Sequence, residues 1–273
     1  MRSSTSGHKQ LLNDNGWTKN NRRIVLMDEN PADDIELTVK NPQKINKNYV
    51  GGHIKDFNSC LVLSHFKGHQ MGGFGGALKQ LSIGFASQKG KTYIHTAGQY
   101  TDWQYAMSRA AGQEDFTSSM ADAASTIVDY FPQGQIGYIS VLGNISSSCD
   151  CAGTSAPEPK IHDIGILAST DPVAIDRAAL DLIKSNVDTG TEYLLNQINR
   201  LKGENTITVA ERIGFGTQEY NLINVDGENG NTGNNNNNPD EEEEEKPFDP
   251  NKGIFLRGNI ISNLLIFMMI LIL

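Results

Sequence analysis

Short apolar runs alternate along residues 1–225 with segments that have the spacing of amphipathic helices. Four runs are apolar or β-branched and are bounded by polar or turn-forming residues, as is typical of strands: residues 23–28, 59–64, 136–142 and 164–168. Helical spacing occurs in residues 115–131, 171–184, 191–202 and 206–213. This alternation predicts an α/β fold, with a layered sheet and flanking helices, over residues 1–225.

The helix predicted from residue 171 has the clearest start. Asp171 is a favoured N-cap residue, because its carboxylate can accept hydrogen bonds from the first backbone amides. Pro172 follows at the first helical position, where its missing N–H is not needed. Local sequence therefore predicts this helix start without reference to the rest of the chain.

Composition changes after Val225. Residues 226–252 are rich in Asn and Glu and contain almost nothing to bury, so we predict a disordered acidic linker. Residues 226–250 contribute −8 of the formal net charge of −9. The preceding part is therefore nearly neutral, which argues against nucleic acid as a partner, since nucleic-acid-binding surfaces carry a basic stripe.

Residues 253–273 are a hydrophobic C-terminal segment in which residues 260–273 read IISNLLIFMMILIL. These 14 residues rise about 21 Å as a helix, less than the ~30 Å hydrocarbon core of a bilayer. We predict a hydrophobic helix that associates with a membrane, either as a tail anchor including Gly253 to Leu256 or as a lipid-anchor signal. The alternative is a helix docked on the α/β domain of a cytoplasmic protein, which the absence of a polar face disfavours.

Residues 65–76, HFKGHQMGGFGG, directly follow a predicted strand. Loops after strand C-termini line the ligand crevice of open α/β sheets. Glycines let the backbone approach a bound group, and the amides of a helix beginning at ALKQLSIG favour an anion. The alternative is a tight turn whose histidines make ordinary hydrogen bonds. We predict a small-molecule or anionic-cofactor site formed by Lys67, Gly72, Gly73, Gly75, Gly76 and Lys79.

Histidines and cysteines supply candidate metal ligands. Histidine is a common metal ligand and proton carrier near neutral pH, and Cys-Asp-Cys places two thiols where a soft metal or redox exchange could use them. The alternative for the thiols is a buried, inert pair. The candidate metal ligands are His65, His69, His95, Cys149 and Cys151, and the candidate catalytic residues are His69 and Lys79.

A transition metal is therefore one hypothesis for the cofactor, whose identity stays open. A ferredoxin-type iron–sulfur cluster is not supported, because it needs four thiolates and the chain has three cysteines.

Several blocks of this sequence resemble the family known as domain of unknown function 362: residues 65–95, 149–153, 162–183 and 210–223. The resemblance runs from about Arg2 to Val225 and is closest to the forms without a ferredoxin insert. It implies that an N-terminal α/β part of the family domain is missing from this chain. It implies no reaction, because the family has no established activity.

A shorter stretch is similar to the lactate racemase family, whose members use a nickel-pincer nucleotide. This likeness implies that His69 is a proton-transfer base, Lys79 a cofactor attachment and His95 a metal ligand. The sequence departs from that pattern, because Gly76-Ala77-Leu78-Lys79 is one residue longer between glycine and lysine. A second catalytic histidine is also absent upstream.

Two classes of function follow from these features. The first is a metal- or cofactor-binding enzyme of redox or proton-transfer type, with its cleft formed by the loop at residues 65–79 and by His95. The second is a membrane-tethered, non-catalytic binding protein or an inactive fragment of the family. An incomplete domain would favour the second class, because a reaction needs a preorganised cleft.

Overall fold

The computed structural model describes residues 5–19, 23–149 and 157–225, and the backbone of residues 253–257. The helices are α1 (Thr5–Asp14), α2 (Ala77–Lys79), α3 (Gln88–His95), α4 (Tyr105–Ser108), α5 (Gln113–Tyr130), α6 (Pro172–Lys184), α7 (Thr191–Arg200) and α8 (Glu204–Ile213). The strands are β1 (Ile35–Thr38), β2 (Lys47–Val50), β3 (Cys60–His65), β4 (Lys67–His69), β5 (Gly73–Gly75), β6 (Ile136–Leu142), β7 (Gly165–Ser169), β8 (Asn221–Asn224) and β9 (Gly253–Arg257). Two 3₁₀ turns, Pro31–Asp33 and Gly52–Asp56, and a π-helical turn, Gln80–Gly84, complete the description.

The main sheet has the strand order β3-β6-β7-β9-β8. Strands β3 and β6 are parallel, whereas β7 is antiparallel to both of its neighbours, β6 and β9. Strand β9 therefore runs in the same direction as β3 and β6, and β8 is parallel to β9. The expected α/β architecture, with a layered sheet and flanking helices, is confirmed.

One face of the main sheet carries the hydrophobic core. Burial alternates along β3, β6 and β7, so that every second side chain is buried and the residues between are partly exposed. Tyr138, Leu142 and Leu167 lie on the buried face and pack in the same cluster as Ile175 of α6 and Leu78 of α2. Helix α5 adds Ala121, Ala124 and Ile127 to this cluster. The helices that bury the sheet also bring α2, at the end of the glycine-rich segment, into the core.

The sheet and helix predictions can now be compared with the structure. Strands β3, β6 and β7 and helices α5, α6, α7 and α8 match the segments predicted for them to within a few residues. The strand predicted at residues 23–28 is wrong, since this segment has no regular structure before a turn that starts at residue 27. It packs instead against the backbone of Gly51, where an added Cβ would lie 2.1 Å from the carbonyl oxygen of Met27.

The C-terminal hydrophobic segment begins as part of the sheet. Residues 253–257, predicted as the start of that segment, form β9 and pair with β7 and β8. The rest of the segment and the predicted linker at 226–252 lie outside the described residues. Among the described helices, none combines the length and apolar character needed to cross a bilayer.

Candidate functional site

The glycine-rich segment is a small antiparallel hairpin rather than an open loop. Strands β4 and β5 pair Lys67 with Gly75, Gly68 with Phe74 and His69 with Gly73. The rings of Phe66 and Phe74 stack beneath it, with centroids 5.3 Å apart. The hairpin continues through Gly76 into α2, so paired strands and a helical turn lead from β3 to Lys79.

His69 ends β4, and the turn that follows fixes its tautomer. Its Nδ1 atom accepts hydrogen bonds from the backbone amides of Gly72 at 2.9 Å and Met71 at 3.3 Å. An Nδ1 atom that accepts from N–H donors carries no proton, so the proton of the neutral ring is on Nε2. His69 is therefore a hydrogen-bond donor at Nε2.

The surroundings of His69 keep its ring neutral. Burial lowers the pKa of His69 to about 3, helped by the positive charges of Lys79 and Lys67 and, when it is protonated, by that of His95. Each of these charges disfavours a second positive charge on the imidazole ring. Lys67, Lys79 and His95 therefore act on the pKa of His69 in the same direction as burial.

His95 is the last residue of α3 and has the opposite tautomer. Its Nδ1 atom lies 2.6 Å from the carbonyl oxygen of Lys91 and must donate a proton to it. The Nε2 atom of the neutral ring then carries a lone pair. The ring of Phe116 stacks on His95 with centroids 4.8 Å apart. Burial lowers the pKa of His95, while the hydrogen bond to Lys91 acts in the opposite direction.

The two lysines of the site pass close to Gly75. A Cβ atom at Gly75 would lie 3.4 Å from Cδ of Lys79 and 3.6 Å from Cε of Lys67. Lys67 is buried, with 4% of its surface exposed, whereas Lys79 is partly exposed. The aliphatic parts of both lysine side chains therefore pass Gly75, which lies on β5 opposite the strand that carries His69.

Asp176 occupies the helix start where the sequence suggested a bound anion. This aspartate of α6 is fully buried and accepts hydrogen bonds from the amides of Ala77 at 2.7 Å and Leu78 at 2.9 Å. Burial raises its pKa to about 7, while the two hydrogen bonds act in the opposite direction. The expectation that the amides of α2 bind an external anion is therefore wrong, because the chain supplies its own carboxyl group.

Sequence reasoning missed Asp176, although a signal was present. Asp176 stands three residues after Val173 and four before Leu180, and so lies on the apolar stripe of the predicted helix. A carboxylate on such a stripe needs hydrogen-bond donors from another element. The sequence alone could not identify that element as α2.

Two of the predicted cofactor-binding glycines are needed by the fold itself. A Cβ atom at Gly76 would lie 2.3 Å from Oδ1 of Asp176. Gly73 has a φ of +81°, and a Cβ there would lie 2.9 Å from the Cα atom of Gly203. Gly72 and Gly75 have only ordinary contacts at their Cβ positions. At Gly73 and Gly76 the backbone therefore approaches other residues of this chain, Gly203 and Asp176, closely.

The remaining predicted metal ligands lie in different settings. The Nε2 atom of His65, at the end of β3, lies 2.7 Å from the carbonyl oxygen of Gly143. Cys149 is buried, and Ser146, just before it, accepts a hydrogen bond from the Gly68 amide at 2.8 Å. Cys151 is outside the described residues. In the described ranges, no three histidine, cysteine or acidic side chains form a group that could hold a metal ion.

Comparison with known proteins gives a family and no individual relatives. Residues 2–181 match the family described as Domain of unknown function (DUF362), which covers the hairpin, His95 and Asp176. The resemblance predicted as far as Val225 is matched only to residue 181. No curated protein matches the chain. No solved structure matches it either. Because the match covers well over half of the sequence, the chain belongs to the DUF362 family.

Proposed function

We propose that the cluster of Lys67, His69, Lys79 and His95, the basic site, binds a small anionic molecule and transfers a proton to or from it. A carboxylate or phosphate group would lie between the ammonium groups of the two lysines. The two imidazole rings would then contact the part of the molecule that reacts. This proposal keeps the enzyme hypothesis, but its principal ligand is an anionic molecule and no longer a transition metal.

One observation carries the proposal: backbone hydrogen bonds give the two neutral rings opposite polarity at Nε2. Gly72 and Met71 donate to Nδ1 of His69, whereas Nδ1 of His95 donates to Lys91. One ring therefore offers an Nε2–H donor and the other an Nε2 lone pair. A donor beside an acceptor is the arrangement that proton transfer at a polarised carbon or oxygen requires.

The roles follow from these tautomers. His95, with the free Nε2 lone pair, is the proposed base, and His69 is the proposed neutral donor to an oxygen on which negative charge develops. This reverses the role that the lactate racemase likeness implies for His69. With a pKa of about 3, His69 is a weak base but a donor that stays neutral throughout the physiological range.

Anion binding is tested by thermal unfolding of the full chain with inorganic phosphate and with citrate as probes. A probe at about ten times its Kd should stabilise the protein by about 1.4 kcal/mol, which raises the Tm by roughly 3–5 °C. Lys79→Met should abolish the increase, because it removes one of the two ammonium groups. Loss of carbon-bound protons from a bound carboxylate in D₂O, followed by NMR, tests proton transfer and should disappear in His95→Asn.

Lys47→Met is the matched control, since Lys47 is a similarly exposed lysine whose partner is Glu36 on the β1–β2 hairpin. This variant should respond to phosphate as the unmodified chain does. The proposal fails if neither probe raises the Tm of the unmodified chain. It also fails if Lys79→Met and Lys47→Met respond alike.

A further inference from the structure

The second face of the main sheet is apolar and partly exposed. Residues that alternate with the core positions on β3, β6 and β7 form this face, and we call its apolar side chains the open face: Leu61, Leu63, Ile139, Val141, Ile166 and Ala168. His65 and Gly137 occupy the other two outward positions of these strands. Leu61 is 39% exposed, and the other five are partly exposed. None of the six is charged or polar.

A sheet face of this composition is normally packed against another part of the protein or against a partner. Sheets that face water on one side normally place polar residues at the outward positions, and sheets with parallel strands are normally covered on both faces. Six of the eight outward positions here instead carry apolar side chains and would leave an apolar surface in water. Such a surface is the mark of an interaction site.

We propose that residues 260–273 of this chain cover the open face. Twelve of these 14 residues are apolar and none is charged. The six side chains of the open face are likewise apolar, so an apolar segment is the occupant that they fit best. This inference is independent of the basic site, because no residue of that site belongs to the open face.

The pairing of β9 brings the segment to the open face. Arg257, the last residue of β9, pairs with Ile166, which pairs with Val141, which pairs with His65. Strand β9 therefore ends level with Ile166 and Val141, two residues of the open face. Only Gly258 and Asn259 separate Arg257 from Ile260. A chain that turns here can return antiparallel to β3 and β6, as the helix of a β–α unit does.

The length of the segment also fits. Fourteen residues in a helix extend about 21 Å, and the six residues of β3 extend about 20 Å. The same 14 residues are too short for the ~30 Å core of a bilayer. The observations therefore favour the open face over the membrane predicted from hydropathy.

Amide hydrogen exchange of the full chain in lipid-free buffer tests the proposal. The amides of residues 260–273 should exchange at least roughly 100-fold more slowly than those of residues 226–250. Ile139→Lys places a charge at the centre of the open face and should remove this protection. Val187→Lys is the matched control, because Val187 is 98% exposed in the connection between α6 and α7, and it should leave the protection unchanged.

Phe267→Lys provides a second variant that leaves the sheet intact. If the segment covers the open face, this variant should lower the Tm by roughly 5 °C, and its effect should not add to that of Ile139→Lys. Fast exchange of residues 260–273 in the unmodified chain would overturn the proposal. Protection that survives Ile139→Lys, or that arises only when phosphatidylcholine vesicles are added and co-sediment with the chain, would overturn it as well.

Discussion

Helices α2 and α6 both begin at an aspartate carboxyl group, but the two carboxyl groups reach them by different routes. Asp171 caps its own helix, with Oδ1 accepting from the amides of Val173 at 2.7 Å and Ala174 at 3.0 Å. Asp176, only five residues later, caps α2 across the fold. Asp171 is partly exposed, whereas Asp176 is fully buried.

The difference is that Asp171 combines a local cap with one tertiary hydrogen bond, whereas both bonds of Asp176 are tertiary. Oδ1 of Asp171 caps the helix that contains it, while its Oδ2 atom accepts a hydrogen bond from the Thr217 amide at 2.9 Å. The cap at Asp176 joins α6 to the glycine-rich hairpin, and its loss leaves buried amides with no replacement. Because this carboxyl group already satisfies the start of α2, an external anion in the basic site would depend on lysine and histidine side chains.

The largest expected effect distinguishes the two aspartates directly. Asp176→Ala should lower the free energy of unfolding by at least about 3 kcal/mol, since two buried N–H groups lose their acceptor. Asp171→Ala should cost about 2 kcal/mol, the upper end of the usual range for an N-cap, because Asp171 also accepts from the Thr217 amide. Urea unfolding of both variants, followed by circular dichroism, measures the difference. A loss below about 1 kcal/mol for Asp176→Ala would mean that the start of α2 is not held by Asp176.

A smaller effect is expected at the glycines that face these carboxyl groups. A Cβ at Gly76 would lie 2.3 Å from Oδ1 of Asp176, and one at Gly216 would lie 2.4 Å from Oδ1 of Asp171. Gly76→Ala and Gly216→Ala should each cost roughly 1–3 kcal/mol by overpacking. Only Gly76→Ala should also reduce phosphate binding, because it shifts the turn that leads to Lys79.

Gly112→Ala is the control for this pair, since a Cβ at Gly112 would have no neighbour within 4 Å. Its unfolding midpoint should stay near that of the unmodified chain. Phosphate binding that is lost equally in Gly76→Ala and Gly216→Ala would show that the hairpin is not specifically anchored by Asp176.

The sequence predicted those parts of the fold that have local or periodic signals. The cap and proline at the start of α6, and the apolar runs of β3, β6 and β7, each identify an element without reference to the rest of the chain. The short strands β1 and β2 were missed, because four residues give little periodicity and their pairing is tertiary. The opposite error was made at residues 23–28, where an apolar run has no strand to pair with.

The candidate site divides in a similar way. Residue types and spacing singled out Lys67, His69 and Lys79, on the hairpin and α2, and His95, at the end of α3, and their grouping into one site stays a prediction. The tautomers of the histidines and the partner of Asp176 could not be predicted, because both depend on backbone groups that only folding brings into contact. The catalytic and metal-binding roles assigned from the sequence stay predictions.

The most direct test of the basic site is the protonation state of His69, measured by NMR of ring-labelled full chain. Burial and the nearby positive charges lower its pKa from 6.5 to about 3, so the ring should remain neutral, with its proton on Nε2, at pH 5. The unfolded chain binds this proton more readily than the folded chain. The contribution of the neutral ring to the free energy of unfolding is therefore complete above about pH 6.5 and is lost as the pH falls toward 3. Phosphate should raise this pKa by offsetting the lysine charges. A ring that is protonated at pH 5 in the absence of phosphate would contradict the account.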